Sequence, residues 1–193
     1  MANDQLTLVK EALAKELGKD PLDFQAIAEL NNKLLECDKK AVRFSIDARH
    51  IHRLGFELVG RQETALGELI KNAYDADATT VAIVFADYSS AGGSLTISDD
   101  GSGMTETTIR NAWMKLSTSE KERAPISERY RRSRAGRKGI GRFAVERLGS
   151  TLVLSSRVAG ESEGIRVIFD WDKSLKADLD IALVSFSIER FEK

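Results

Sequence analysis

The chain of 193 residues suits one domain with a substantial core and a small extension, and its 42% hydrophobic and 31% charged content excludes a disordered or fibrous chain. With 29 Lys and Arg against 30 Asp and Glu, the net charge of −1 removes any general attraction to nucleic acid or anionic lipid. A lone cysteine, Cys37, beside only His50 and His52, excludes an internal disulfide and a multi-cysteine zinc site, and the absence of any long apolar run or signal-peptide centre predicts a cytoplasmic protein without membrane contact.

In chain order, Leu6, Val9, Leu13 and Leu17 mark one helix face, and Phe24, Ile27, Ala28, Leu34 and Leu35 a second. Gly18 closes the first helix and Asp20 is expected to cap the second, with Pro21 at its first position. Residues 1–40 therefore read as a helical hairpin ahead of a main domain over 41–193. Alternation at Val42, Phe44 and Ile46 predicts a strand buried on one face, and a helix follows over 62–77 with Leu66, Leu69, Ile70 and Ala73 facing a core. Two strands, at Val81–Phe85 and Leu95–Asp99, are close enough for a hairpin. Thr105 then caps a helix that buries Ile109, Ala112, Trp113 and Leu116. Residues 117–138 carry many charges and no period that would bury a face, which predicts a mobile loop. A helix with Phe143, Val145 and Leu148 follows, then strands at 151–155, 165–169 and 181–188. Strands broken by only a few helices indicate an α+β sandwich, one sheet with helices on one face.

Three clusters carry candidate chemistry. On the helix at 62–77, Glu68, Asn72 and Asp75 share one stripe opposite Leu66 and Ala73. The stripe reads either as a solvated face or as a general base with an oxygen ligand for Mg2+, and the cost of placing Asn and Asp in mid-helix asks for a reason. The second cluster is Asp99, Asp100, Gly101, Ser102, Gly103 and Met104, directly after a strand whose inward positions are Leu95 and Ile97. Parity sets Asp99 inward, where an adenine amino group is a natural donor to it, and Asp100 outward; a plain polar turn is the other reading. The third, Gly136, Arg137, Lys138, Gly139, Ile140, Gly141 and Arg142, lies at a helix mouth, where amides and the positive helix end gather around an anion, or where three glycines simply make a flexible turn. Lys138 is followed by glycine rather than Ser or Thr, so this is not a Walker phosphate loop.

Taken together and in this order, the clusters resemble the Bergerat-fold ATPases, the superfamily of gyrase, heat-shock chaperone, histidine kinase and MutL ATP-binding domains (GHKL). The stretch GELIKNAYDADAT is especially similar to the MutL and MORC branches, and the resemblance runs over about residues 41–170. It implies a two-layer sandwich with a mixed, mainly antiparallel sheet, ATP and Mg2+ as ligands, and hydrolysis of ATP. It implies too that Glu68 polarises the attacking water, Asn72 helps hold Mg2+ and phosphates, Asp75 supports the same site, Asp99 reads the adenine amino group beside Gly101 and Gly103, and Met104 packs on the base. Lys138 and the amides around Gly136, Gly139, Ile140, Gly141 and Arg142 would meet the terminal phosphates. The segment from Lys121 to Arg142 corresponds to the ATP lid, and some of its arginines would neutralise phosphate charge. Ser117, Thr118 and Ser119 resemble a segment ahead of that lid.

The sequence departs from the family pattern in two places. The Gly-Thr pair of a later strand has no match before Lys193, and the lysine of an adjoining transducer domain is missing, so the domain is expected to be incomplete at its C-terminal end. His50 and His52 precede Asn72 without a separate phosphoacceptor helix pair, which speaks against a histidine kinase. The expected function is an Mg2+-dependent ATPase module whose nucleotide-ordered lid controls a homodimer or partner interface. Its alternative is a non-hydrolysing ATP or ADP sensor that recruits a protein through residues 1–40, with nucleic-acid binding through the arginines less favoured.

Overall fold

The computed structural model describes residues 2–58, 60–115, 124–135 and 145–192. They divide into two compact units, one formed by Met1–Ala48 with Ala177–Ser185 and the other by Arg49–Lys176 with Phe186–Lys193.

In the first unit, helices α1 (Ala2–Leu17) and α2 (Phe24–Glu36) form the expected hairpin. Gly18 follows α1 and donates to the carbonyls of Ala14 and Lys15. The cap of α2 is Asp23 rather than Asp20, because the Asp23 carboxylate takes the Ala26 amide at 3.0 Å and Pro21 lies ahead of the helix. Phe24, placed by its spacing on the apolar face, is exposed in this first turn. Residues 41–46 are not the expected strand. Val42 and Phe44 are fully exposed, and only Asp47 makes a bridge, to Asp180, while the Ile46 carbonyl takes the Ile181 amide at 2.8 Å. Alternation suits a strand only where a partner is supplied. Residues 181–188 also differ from the expected strand: Asp180 caps a short 3-10 turn, Ile181–Leu183, and pairing resumes only at Ile188. Gln25 of α2 donates to the Leu183 carbonyl at 3.0 Å, which ties this returning segment to the hairpin.

The second unit opens with α3 (His50–Leu58) and α4 (Gln62–Asp75). Strands β1 (Val81–Ala86) and β2 (Ser94–Asp99) pair antiparallel as foreseen, with Ile83 opposite Ile97 and Val81 opposite Asp99. Thr105 caps α5 (Glu106–Thr108), which widens at once into a π-helical turn, Ile109–Trp113. Strands β3 (Thr151–Ser156), β4 (Glu163–Asp170) and β5 (Ile188–Glu192) form an antiparallel meander in the order β3-β4-β5, and α6 (Trp171–Ser174) follows β4. The fold class is thus α+β with antiparallel sheets, as expected, although the strands hydrogen-bond as a hairpin and a meander rather than as one sheet among the described residues. No helix among them is long and apolar enough to cross a membrane.

Strand β4 supplies the centre of the core. Ile165, Val167 and Phe169 alternate inward and Trp171 continues the row, meeting Ile109 and Val145. Phe169 is wholly buried, with ring centroids of Phe186 at 4.6 Å and of Trp113 and Trp171 at 5.2 Å. Trp113 therefore belongs to the core, as its spacing predicted. Leu116 and Phe143 lie outside the described residues.

Truncating Phe169 to alanine should lower the unfolding free energy by about 3–5 kcal/mol. Val153→Ala, on the solvent face of the same meander, should change it by less than about 1 kcal/mol. Urea denaturation of both variants checks the difference.

Candidate nucleotide site

The candidate site is organised around the end of α4, where a helix leaves its last carbonyls without intrahelical partners. Here the Ala76 amide returns to the Asn72 carbonyl, that of Asp77 to Tyr74 and that of Ala78 to Ala73, and distant parts of the chain add to these bonds. The Ala76 carbonyl takes the Ser102 amide at 2.8 Å, which draws the loop after β2 against the helix end. Asp100 completes this tie. Its carboxylate accepts from the Thr79 hydroxyl and from the amides of Thr79 at 2.7 Å and Thr80 at 2.8 Å. These donors, the Thr79 hydroxyl foremost, hold the Asp100 carboxyl down at about 2. Asp100, expected simply to point outward, is instead a fastening between the α4–β1 connection and β2.

Its neighbour Asp99, set inward by parity, is instead exposed at the end of β2, because the strand ends at an open cleft there. One carboxylate oxygen accepts the Gly101 amide at 2.9 Å, and the other has no partner among the described residues. Asp99, Asp100 and Gly101 line one side of an open cleft of about 430 Å³, whose other side is the turn Arg157–Glu161. Both glycines of this loop are required by space. A Cβ on Gly101 would stand 2.8 Å from the Ala76 carbonyl oxygen and from the Asp99 carboxylate. Gly103 has φ +72 and leaves no room before the Arg157 carbonyl. Met104 donates its amide to the Ser156 hydroxyl at 2.7 Å, and its side chain is partly buried against the main core.

Glu68, Asn72 and Asp75 all lie on α4 as predicted. Glu68 is half-buried and its carboxylate is held by Lys71 Nζ at 2.7 Å. Asp75 is buried and accepts the Ala135 amide at 2.7 Å. Two residues further on, Asp77 has φ +63 and is buried as well. Burial would raise its pKa, but the Ser127 hydroxyl, the Arg129 and Tyr130 amides and the nearby Arg132 outweigh that and hold it below its ordinary range. The described part of the charged segment, 124–135, thus makes defined polar contacts where the sequence offered only a charged loop without a face to bury. Its order comes from polar contacts that hydrophobic period does not report. Gly136, Lys138, Gly139, Ile140, Gly141, Arg142 and Ser117–Ser119 lie outside the described residues.

The structure thus gathers the end of α4, the loop 99–104 and the segment 124–135 at one place. Asp77, Asp100, Ser127 and Arg132 were not singled out from sequence for these roles. The spacing of Asp75 and Asp77 across a helix end was the available signal, since aspartate tolerates the left-handed conformation there. Among the described residues no group of three His, Cys, Asp or Glu is placed to hold a metal ion.

Residues 61–192 match the family model of the histidine kinase-, DNA gyrase B- and HSP90-like ATPases, and the chain belongs to that family. Domains of this family bind ATP, typically with Mg2+, and are usually ATPases. No curated protein matches the chain.

Asp100 gives a test of its fastening. A carboxyl whose folded pKa is depressed stabilises the fold above its unfolded value of 3.8, and that contribution fades as pH falls through about 2. Asp100→Asn should therefore be less stable than the unaltered chain at neutral pH, with the gap closing as pH falls through that window. Denaturation midpoints measured across pH check it.

Proposed function

We propose that the chain is an ATP-binding, Mg2+-dependent ATPase module of the MutL and MORC-like branch. Its cleft beside Asp99 carries the reading. A carboxylate with one oxygen engaged by the Gly101 amide and the other unengaged among the described residues can accept an adenine amino group. The cleft of about 430 Å³ falls in the range of small-molecule sites. Gly101 and Gly103 keep the backbone close, and Met104 flanks the base.

Magnesium takes few protein ligands and otherwise binds water and nucleotide phosphates. Asn72 would supply the protein oxygen, and the ion when bound neutralises phosphate charge and polarises the phosphoryl group. Glu68, one turn before Asn72, orients water and takes its proton. Asp75 acts indirectly, through the Ala135 amide. Gly136, Lys138, Gly139, Ile140, Gly141 and Arg142 would contact the phosphates as part of a lid over 121–142 that controls a homodimer or partner interface when nucleotide binds. Residues 1–40 serve as a separate protein-contact hairpin, and the protein works in the cytoplasm.

One observation favours a second reading, a non-hydrolysing ATP or ADP sensor: Lys71 occupies the Glu68 carboxylate that hydrolysis needs free. Phosphate release under multiple turnover separates the two. Under the ATPase reading, Glu68→Ala should cut turnover by at least about 100-fold while ATP affinity stays within about twofold. Asp99→Asn should weaken ATP binding about tenfold or more, read by titration calorimetry with Mg2+. Unchanged turnover in Glu68→Ala would remove the hydrolytic role, and unchanged affinity in Asp99→Asn would remove the adenine contact.

A further inference from the structure

The last turn of α4 and the segment 125–135 interlock through contacts of which the proposed chemistry uses only the Asp75–Ala135 bond. The segment closes on itself first. Ile126 bridges Ser133, the Ser127 amide donates to the Arg132 carbonyl at 2.9 Å, and the Arg134 amide donates to the Pro125 carbonyl at 2.8 Å. It then engages the helix end. Asp77 takes the Arg129 amide at 2.8 Å and the Tyr130 amide at 3.3 Å, and it is also bonded by the hydroxyl of the wholly buried Ser127. The Ser127 oxygen in turn accepts the Arg132 amide at 2.8 Å, so a relay of donors runs from Arg132 through Ser127 to Asp77.

The Arg132 side chain closes the lock from the other side. Its guanidinium lies 4.8 Å from the ring centroids of both Tyr74 and Tyr130 and donates to the Ala78 carbonyl at 2.6 Å and the Tyr74 carbonyl at 3.4 Å. A cation beside carbonyls at the C-terminal end of a helix is favoured by hydrogen bonding and by the helix dipole together. Ile126 and Tyr130, the large apolar residues of the segment, are both exposed, so hydrophobic burial does not account for its placement. The lock ends at Ala135, whose amide reaches Asp75 on the same stripe as Glu68 and Asn72.

We propose that Asp77 and Arg132 are positioning residues of the nucleotide site, locking residues 125–135 onto the end of α4 and so fixing the Glu68–Asn72–Asp75 stripe on which magnesium and phosphates depend. The proposal rests on the nucleotide reading above and deepens it. Asp77→Asn keeps the left-handed backbone, which asparagine tolerates, while removing the charge that gathers three donors. Arg132→Lys keeps the charge but loses the planar fork and its stacking on two rings.

The test uses both variants of the full chain, with amide exchange in the absence of nucleotide and titration with Mg2+-ATP and with ADP lacking metal. The amides of Arg129, Tyr130 and Ala135 should exchange at least about tenfold faster in each variant while those of β3 and β4 stay protected. Affinity for Mg2+-ATP should fall at least about fivefold, with ADP affinity moving less than about twofold, because the lock serves the phosphate side rather than Asp99. Lost protection with unchanged Mg2+-ATP affinity, or an equal loss for both nucleotides, overturns the positioning role alone. Unchanged exchange overturns the lock itself. If the unaltered chain binds neither nucleotide, the nucleotide reading falls and takes the positioning role with it, while the exchange result still reports on the lock.

Discussion

A helix cannot end inside a folded protein without satisfying its final carbonyl groups, and α4 meets that demand locally, through the amides of Ala76, Asp77 and Ala78, and then adds segments remote in sequence. Ser102 reaches the Ala76 carbonyl, and Arg132 reaches that of Tyr74 and that of Ala78, which lies just beyond the helix. The loop bearing Asp99 and the arginine-rich segment converge on one spot because both are used to finish the same helix. The bond from Ala135 to Asp75 and the ties from Asp100 to Thr79 and Thr80 follow from that convergence.

Four aspartates stand within this region and divide its work by environment. Asp75, Asp77 and Asp100 spend their lone pairs on backbone amides and hydroxyls of neighbouring segments, so their charge goes into architecture. Asp99, adjacent to one of them in sequence, engages a single amide and stands at a cleft. Strand parity separates Asp99 from Asp100. The first continues the side of Leu95 and Ile97, whereas the second turns to the α4–β1 connection.

Elements that bury a regular face were legible in the sequence. The spacing of α4, the alternation of β1, β2, β3 and β4, and the Thr105 cap all follow from periodicity and local hydrogen bonding. What failed depends on partners the sequence does not display. Val42, Phe44 and Ile46 alternate like a strand but have no pairing strand, and Asp180 turns the chain into a 3-10 turn where apolar residues suggested an extended run. The order of 124–135 was invisible for a related reason: it rests on a buried carboxylate and a stacked arginine, and polar locks leave no hydrophobic period. In the site, the stripe on α4 and the Asp99–Gly103 loop were found by residue type and spacing. The roles of Asp77, Asp100, Ser127 and Arg132 needed tertiary geometry.

The aromatic cluster around Phe169 also decides what light can report. Both tryptophans of the chain, Trp113 and Trp171, pack on that ring, and the three tyrosines, Tyr74, Tyr88 and Tyr130, belong to the same unit. Tryptophan emission therefore reports on the packing of that unit. Far-ultraviolet dichroism, dominated by helical backbone, sees the hairpin as well. Melting curves followed by the two signals compare the cohesion of the two units in a single unlabelled sample.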